Sequence, residues 1–207
     1  MRYALIIVVF LVFIWPMAKA QTDIVQALKD RYDIPNGLEA DLKIEVEVPG
    51  INIPAKSAHV LYEKGKASKI TGKGLLFFPK KGLMEEFQSI LNEPHHIIPL
   101  EETEEKIKYK MVSLDQKSDW VTADIVVSIQ DPRIESMLLT TRKNGDFDIS
   151  HHYGDGPYPI RTQVQFESER FSIPLKFMGK KELIPEELEG KNVSGKIVIS
   201  YSNVKIY

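Results

Sequence analysis

Apolar and polar side chains alternate almost without interruption in residues 38–50, LEADLKIEVEVPG, and this alternation constrains the fold more than any other feature of the sequence. Successive side chains of a β-strand point to opposite faces, so a period of two places the apolar residues on one face. These residues are Leu38, Ala40, Leu42, Ile44, Val46 and Val48. One apolar and one charged face are typical of an antiparallel sheet that is buried on one side only.

The same alternation recurs along the chain between short polar turns. It is clearest in KIKYKMVSL (106–114), WVTADIVVSI (120–129) and YPIRTQVQFE (158–167). Asn144-Gly145, within IESMLLTTRKNGDFDISHH, is a strong short-range signal for a β-hairpin turn. We therefore predict about nine to eleven strands, and we expect antiparallel pairing because strands and helices do not alternate along the chain.

Two segments have helical spacing instead. In residues 22–33, TDIVQALKDRYD, Thr22 is a suitable N-cap and apolar residues recur every three or four positions. In residues 82–93, GLMEEFQSILNE, a second apolar stripe includes Phe87 and ends before Pro94. Two short helices cover only part of the apolar face of a large sheet, so the sheet must curl around them or fold into a sandwich. The sequence predicts an α+β fold: a large curled antiparallel sheet, an unclosed half-barrel, with one to three helices on its concave side.

The first twenty residues, MRYALIIVVFLVFIWPMAKA, have the organisation of a secretory signal peptide. A basic Arg2 precedes a run of 12 apolar residues, which is shorter than the roughly 20 that a membrane-spanning helix needs. Small residues before the end of the segment suit a signal peptidase, and we predict cleavage after Ala20. The expected mature protein is one domain, residues 21–207, exported to the periplasm.

Composition excludes several classes of protein. The chain has no cysteine, which excludes a disulfide scaffold, thiolate metal sites, cysteine nucleophiles and lipid attachment through an N-terminal cysteine. Without the signal segment, 25 basic residues face 29 acidic residues, a net charge of −4. This balance gives no electrostatic footprint for nucleic acid.

The order of elements resembles the LolA/LolB outer-membrane lipoprotein carrier superfamily, which includes LppX-like and RseB-like proteins. A signal peptide and one amphipathic helix precede a long series of strands, and the pattern ASKITGKGLLFFPKKGLMEEFQSIL combines a strand, a proline turn and a short apolar helix. DWVTADIVVSIQDPRIESMLLTTRKNGDFDISHHYGDGPYPIRTQVQF resembles the second half of these domains. The terminal GKIVISYSNVKIY resembles their last strand.

This resemblance implies an unclosed barrel, lined with apolar residues and covered by helices, that holds acyl chains during transit across the periplasm. The implied partners are acylated lipid or lipoprotein cargo, together with membrane-bound donor or acceptor proteins. The carriers have a functional arginine after their first helix; Arg31 lies in that neighbourhood, and we do not assign it the role. The chain departs from the aromatic-rich cavities of many carriers, because Trp120 is the single tryptophan after cleavage. We expect a monomer.

An apolar sheet face can line a ligand cavity or belong to a filled core, and the sequence leaves both interpretations open. One face of about ten strands offers more apolar surface than two short helices cover, and each buried methylene of an acyl chain would contribute roughly 0.8 kcal/mol. The residues that we expect to line such a cavity are Leu28, Leu42, Ile44, Val46, Phe87, Ile125, Val127, Val164 and Phe166.

Other functions have weaker signals. A metal site could combine His151 or His152 with Asp146, Asp148 or Asp155, but adjacent histidines on a strand point to opposite faces. The hydrolase motifs GxSxG and HExxH are missing, and EETEE (101–105) is typical of a solvated loop. Lys80 and Lys81 could either meet lipid headgroups or form a polar turn.

We therefore predict no catalytic, cofactor or metal site, and a carrier or binding protein for lipid-like cargo. The first alternative is an envelope protein-interaction or stress-sensor scaffold with a filled core. A small hydrolase or a metal-dependent enzyme is a further alternative.

Overall fold

A computed structural model describes residues 24–33, 36–50, 52–64, 66, 69–72, 90–143, 145–168 and 193–207. Helix α1 covers 24–32, within the first predicted helix, and residues 90–92 are helical. Residues 82–89 of the second predicted helix lie outside the described residues. The strands are β1 (Gly37–Glu47), β2 (Lys56–Glu63), β3 (Lys69–Thr71), β4 (His95–Glu102), β5 (Lys106–Ser113), β6 (Trp120–Ser128), β7 (Ile134–Thr141), β8 (Gly145–Tyr153), β9 (Pro159–Ser168) and β10 (Val193–Ile206).

All ten described strands belong to one antiparallel sheet. Their order is β3-β2-β1-β10-β9-β8-β7-β6-β5-β4, so β10 inserts beside β1 and the sheet ends at β3 and β4. These two edge strands do not pair with each other, and the sheet is not closed into a barrel. The predicted α+β fold, an unclosed half-barrel with few helices, is confirmed.

Interruptions of the strand register accompany the curvature of the sheet. The β1–β10 register shifts between Glu39 and Asp41, and Asn203 on β10 has a φ of 53°. Further register shifts occur between β4 and β5, between β6 and β7, and between β8 and β9. Such bulges bend a strand and increase its local twist, which helps a long sheet to curl.

One row of residues runs across eight strands on the same face of the sheet. Each member pairs with the next across neighbouring strands, so their side chains lie side by side. In order from β1 to β4, the row is Val46, Ile197, Val164, Ile149, Met137, Ile125, Tyr109 and Pro99. We call the face that carries this row the inner face.

The predicted β7–β8 hairpin is present, with Thr141 opposite Gly145. Gly145 opens β8 with a φ of 81°, a left-handed conformation that glycine adopts without steric cost. By contrast, β4 was not predicted, because HHIIPLEE has no clear alternation and contains Pro99. Proline is tolerated on edge strands, where one side of the backbone needs no ladder partner.

Candidate functional site

The inner face carries two clusters of buried apolar residues. The first cluster combines Leu28 and Tyr32 of α1 and the helical residues Ile90 and Leu91 with side chains of β5 to β9. Tyr109, Met111, Ala123 and Val127 have no exposed surface there, which is typical of a packed protein core. Its remaining members are Ile107, Trp120, Ile125, Ile134, Met137, Ile149 and Val164.

The second cluster lies on β1, β2 and β10. It consists of Leu38, Ala40, Leu42, Ile44, Ala58 and Ile199. Among the described residues, neither α1 nor the helical segment 90–92 contributes a side chain to this cluster. Two of its members are alanines, and Ala58 lies directly opposite Leu42, so this part of the sheet presents small side chains.

The structure places the predicted lining residues in different surroundings. Leu28, Ile125, Val127 and Val164 belong to the first cluster, Leu42 and Ile44 belong to the second, and Val46 is partly buried against the second. Phe166 is buried outside both clusters, and Phe87 lies outside the described residues. That these nine residues line a cavity stays a prediction.

A polar group interrupts the inner face near the second cluster. His151 Nδ1 lies 2.9 Å from Thr162 Oγ1, and the Tyr201 hydroxyl donates to the same oxygen at 3.3 Å. Burial lowers the pKa of His151 to about 4 and raises the pKa of Tyr201 to about 12. All three side chains are therefore neutral at pH 7, which suits an apolar surface.

A closed ring of hydrogen bonds joins α1 to the sheet. The Ile134 N–H donates to the Tyr32 hydroxyl at 3.2 Å, and the hydroxyls of Tyr32 and Tyr153 lie 3.1 Å apart. The Tyr153 hydroxyl donates to the Ile134 carbonyl at 2.7 Å, so Tyr32 is the donor to Tyr153. Burial is the largest cause of a raised pKa at Tyr153, and the interaction with Tyr32 raises this pKa further.

Arg31 fixes the same end of α1 to two loops. Its guanidinium binds the Asp131 carboxylate in the β6–β7 turn and donates from Nη1 to the Pro157 carbonyl at 3.3 Å in the β8–β9 loop. The side chain of Arg31 is 18% exposed, whereas that of Asp131 is 50% exposed. An ion pair with Asp131 and a hydrogen bond to the Pro157 carbonyl therefore attach the end of α1 to one end of the sheet.

His151 and His152 do not converge on a metal site within the described part of the chain. His151 points to the inner face, while His152 pairs with Arg161 and is exposed on the outer face. Asp148 shares that outer face but is four residues from His152, about 13 Å along the strand. Among the described residues, no three histidine or carboxylate side chains are grouped as metal ligands.

Sequence reasoning missed a groove of about 960 Å³ where β1, β9 and β10 meet the β1–β2 connection. Its lining combines polar and apolar residues; representative members are Glu47, Leu138, Asp148, Gln165, Phe166 and Lys196. The β1–β2 connection supplies Pro49, Asn52 and Ile53. No local pattern in the sequence signals a groove that depends on how three distant segments meet.

The unclosed ten-stranded sheet, with α1 packed on its inner face, defines a LolA-like fold. The chain is similar to the crystal structure of a LolA superfamily protein from Nitrosomonas europaea, with a TM-score of 0.57, 10% identity, and coverage of 90% of this chain and 93% of that one. It is also similar to a DUF1329 family protein from Desulfovibrio piger, with a TM-score of 0.55, 9% identity, and coverage of 91% and 92%.

A third solved structure, a putative outer membrane lipoprotein-sorting protein domain from Vibrio parahaemolyticus, gives a TM-score of 0.47 at 9% identity, with coverage of 90% and 93%. The sequence itself matches no protein-family model and no curated protein. Helices long and apolar enough to cross a bilayer are missing from the described part of the chain.

Proposed function

We propose that this protein is a non-catalytic periplasmic carrier or binding protein whose lipid-like or lipoprotein cargo lies with its acyl chains against the inner face. One observation carries the proposal: the apolar inner face continues past the first cluster onto β1, β2 and β10, beyond the described helical residues that pack on it. The LolA-like fold supports the same function. The periplasmic location rests on the predicted signal peptide, residues 1–20.

Transfer by such a carrier needs no covalent step. An acyl chain gains roughly 0.8 kcal/mol per methylene on leaving water, whether it enters a membrane or an apolar protein cavity. Exchange between the two environments is therefore close to balanced, and a donor or acceptor protein at the membrane could set its direction. We propose that α1 and the second predicted helix form the gate over the inner face; residues 82–89 of that helix lie outside the described residues.

The first cluster favours a second candidate function. Leu28 and Tyr32 fill the space over β5 to β8 so well that several side chains beneath them have no exposed surface. A scaffold or sensor with a filled core would have this packing across the whole sheet. The two functions therefore differ in what covers the second cluster.

Lipid uptake by the purified protein tests the carrier function. We expect organic extracts of the natively purified protein to contain lipid, and the delipidated protein to bind a fluorescent fatty acid. Leu42→Glu places a carboxylate in the second cluster and should abolish this binding, since a bound acyl chain would strip water from an unpaired charge at a large cost in free energy.

Leu138→Glu is the matched control, because Leu138 is 47% exposed on the outer face. It should bind the probe like the wild type, with both variants checked for folding by circular dichroism. A lipid-free extract together with an absence of uptake would rule out the carrier and leave the scaffold.

A further inference from the structure

Tyr109 has a buried hydroxyl without a hydrogen-bond partner among the described residues. It lies in the middle of β5, in the inner row between Pro99 of β4 and Ile125 of β6, and none of its surface is exposed. Its hydroxyl oxygen is buried and forms no hydrogen bond with any residue that the structure describes. Leaving such a group unpaired costs stability, and a phenylalanine ring would fill the same place without that cost.

Other tyrosine hydroxyls on this face do have partners. Tyr153 donates to the Ile134 carbonyl, Tyr32 contacts Tyr153, and Tyr201 donates to Thr162. The surroundings of Tyr109 offer no such group, because its neighbours along and across the strands, Ile107, Met111, Ile125 and Pro99, are all apolar. Within the described part of the chain, no acceptor is therefore in place for this hydroxyl.

The hydroxyl lies close to an accessible edge of the sheet. Tyr109 is one strand in from the edge strand β4, and its partner Pro99 is exposed. Leu100, the next residue on β4, is 43% exposed. Burial and the negative charge of Glu102 raise the pKa of Tyr109, so the hydroxyl keeps its proton and remains a donor at neutral pH.

We propose that bound cargo displaces side chains packed over β5, and that the Tyr109 hydroxyl then donates a hydrogen bond to the acyl carbonyl of that cargo and so fixes the depth at which the chain enters over β4 and β5. This inference rests on the proposed carrier function and specifies it further. A carbonyl suits the site because it accepts one hydrogen bond while the attached hydrocarbon contacts the apolar inner row. The recognised class is a long-chain acyl group in ester or amide linkage.

A matched set of fluorescent probes tests this assignment in the full-length, delipidated protein. The probes share one chain length and one fluorophore, and differ in carrying an ester carbonyl, an amide carbonyl or no carbonyl. Tyr109→Phe should weaken binding of a carbonyl probe about three- to tenfold, the effect of one hydrogen bond, and leave the alkane probe unchanged. A preference for the ester or the amide identifies the linkage.

Tyr207→Phe is the control, because it removes the same atom from a residue that is 50% exposed at the end of the chain. It should change no affinity. The melting temperature of unloaded Tyr109→Phe should equal or exceed that of the wild type, since no internal hydrogen bond is lost. A drop of several degrees would show that an internal partner, such as an ordered water, satisfies the hydroxyl, and would overturn the assignment.

Infrared spectroscopy of the wild type gives a second test that does not depend on a variant. The carbonyl stretch of the bound ester should lie at lower frequency than that of the same ester in hexane, as a hydrogen-bonded carbonyl does. If the wild type takes up the probes but the band is unshifted, or Tyr109→Phe binds all probes equally well, the carrier function stands and the role of Tyr109 is wrong. If the wild type takes up no probe, both are wrong.

Discussion

The imidazole of His151 is partly buried on an otherwise apolar face, where a positive charge is poorly solvated. Burial lowers the pKa of His151 from 6.5 to about 4, and Thr162 supports the neutral ring with a hydrogen bond. The unfolded chain binds a proton at His151 more readily than the folded chain between these two pH values. The stabilising contribution of the neutral ring is therefore complete above about pH 6.5 and is lost as the pH falls towards 4.

Replacement of His151 should flatten this part of the pH dependence. In His151→Gln the side chain remains polar but does not titrate, so its free energy of unfolding should fall less than that of the wild type between pH 7 and pH 4. The difference is at most about 3 kcal/mol, from the shift in pKa. Urea unfolding across that pH range measures it.

His152→Gln provides the control, because His152 is exposed on the opposite face of β8. Carboxylates contribute equally to the pH dependence of both variants, so the comparison isolates His151. Parallel curves for His151→Gln and His152→Gln would contradict the assignment of a lowered pKa to His151.

Between elements, the hydrogen-bonded ring of Tyr32, Tyr153 and Ile134 attaches α1 to the sheet. Tyr153→Phe removes the donor to the Ile134 carbonyl and the acceptor for Tyr32. Because it breaks two hydrogen bonds at a partly buried site, the substitution should lower the free energy of unfolding by about 1–3 kcal/mol. Hydrogen exchange should also rise in residues 24–32, since α1 loses a connection to β7 and β8.

Tyr158→Phe is the control for this prediction. Tyr158 lies on the nearby β8–β9 loop, and its hydroxyl bonds to no described residue. Its removal should leave both the stability and the exchange of α1 unchanged. If Tyr153→Phe behaves like Tyr158→Phe, the ring does not hold α1 in solution.

Local patterns predicted the elements better than their partners. The alternation around Leu42 and the helical spacing around Leu28 depend on neighbours in sequence, and both segments form the predicted elements. The tyrosine ring joins residues 121 positions apart, so no local spacing signals it. The edge strand β4 was missed because Pro99 argues against a central strand. As a result, the position of Tyr109 one strand from the edge of the sheet was not predicted either.

Across the whole molecule, β1 and β10 pair inside the sheet and so bring the first and the last described strands together. The short β3 and the proline-containing β4 form the edges, which limits edge-to-edge association. The fold class follows from the number of amphipathic strands relative to helices. Whether the inner face holds cargo depends instead on how distant segments fill the space above it, and no strand pattern contains that information.

Substitution of two alanines on the inner face by phenylalanine tests whether that space is filled. Both are buried: Ala123 has no exposed surface and belongs to the first cluster, and Ala58 is 6% exposed and belongs to the second cluster beside Leu42. Ala123→Phe should destabilise the unloaded protein by about 1–3 kcal/mol or more, because extra atoms strain a packed core. Ala58→Phe should change the unfolding free energy by less than about 1 kcal/mol while reducing fatty-acid uptake, since the ring occupies space meant for an acyl chain.

Chemical denaturation of the delipidated variants and titration with the fluorescent fatty acid provide the two measurements. If the protein is a carrier, the two substitutions should have different effects: Ala123→Phe should lower the stability, and Ala58→Phe should lower the uptake of fatty acid. The scaffold predicts that both alanines behave alike, because a filled core above β1, β2 and β10 would reject a ring as strongly as the core above β6 does. Equal destabilisation by Ala58→Phe and Ala123→Phe would therefore show that the second cluster is filled by the chain itself, and that the inner face holds no cargo there.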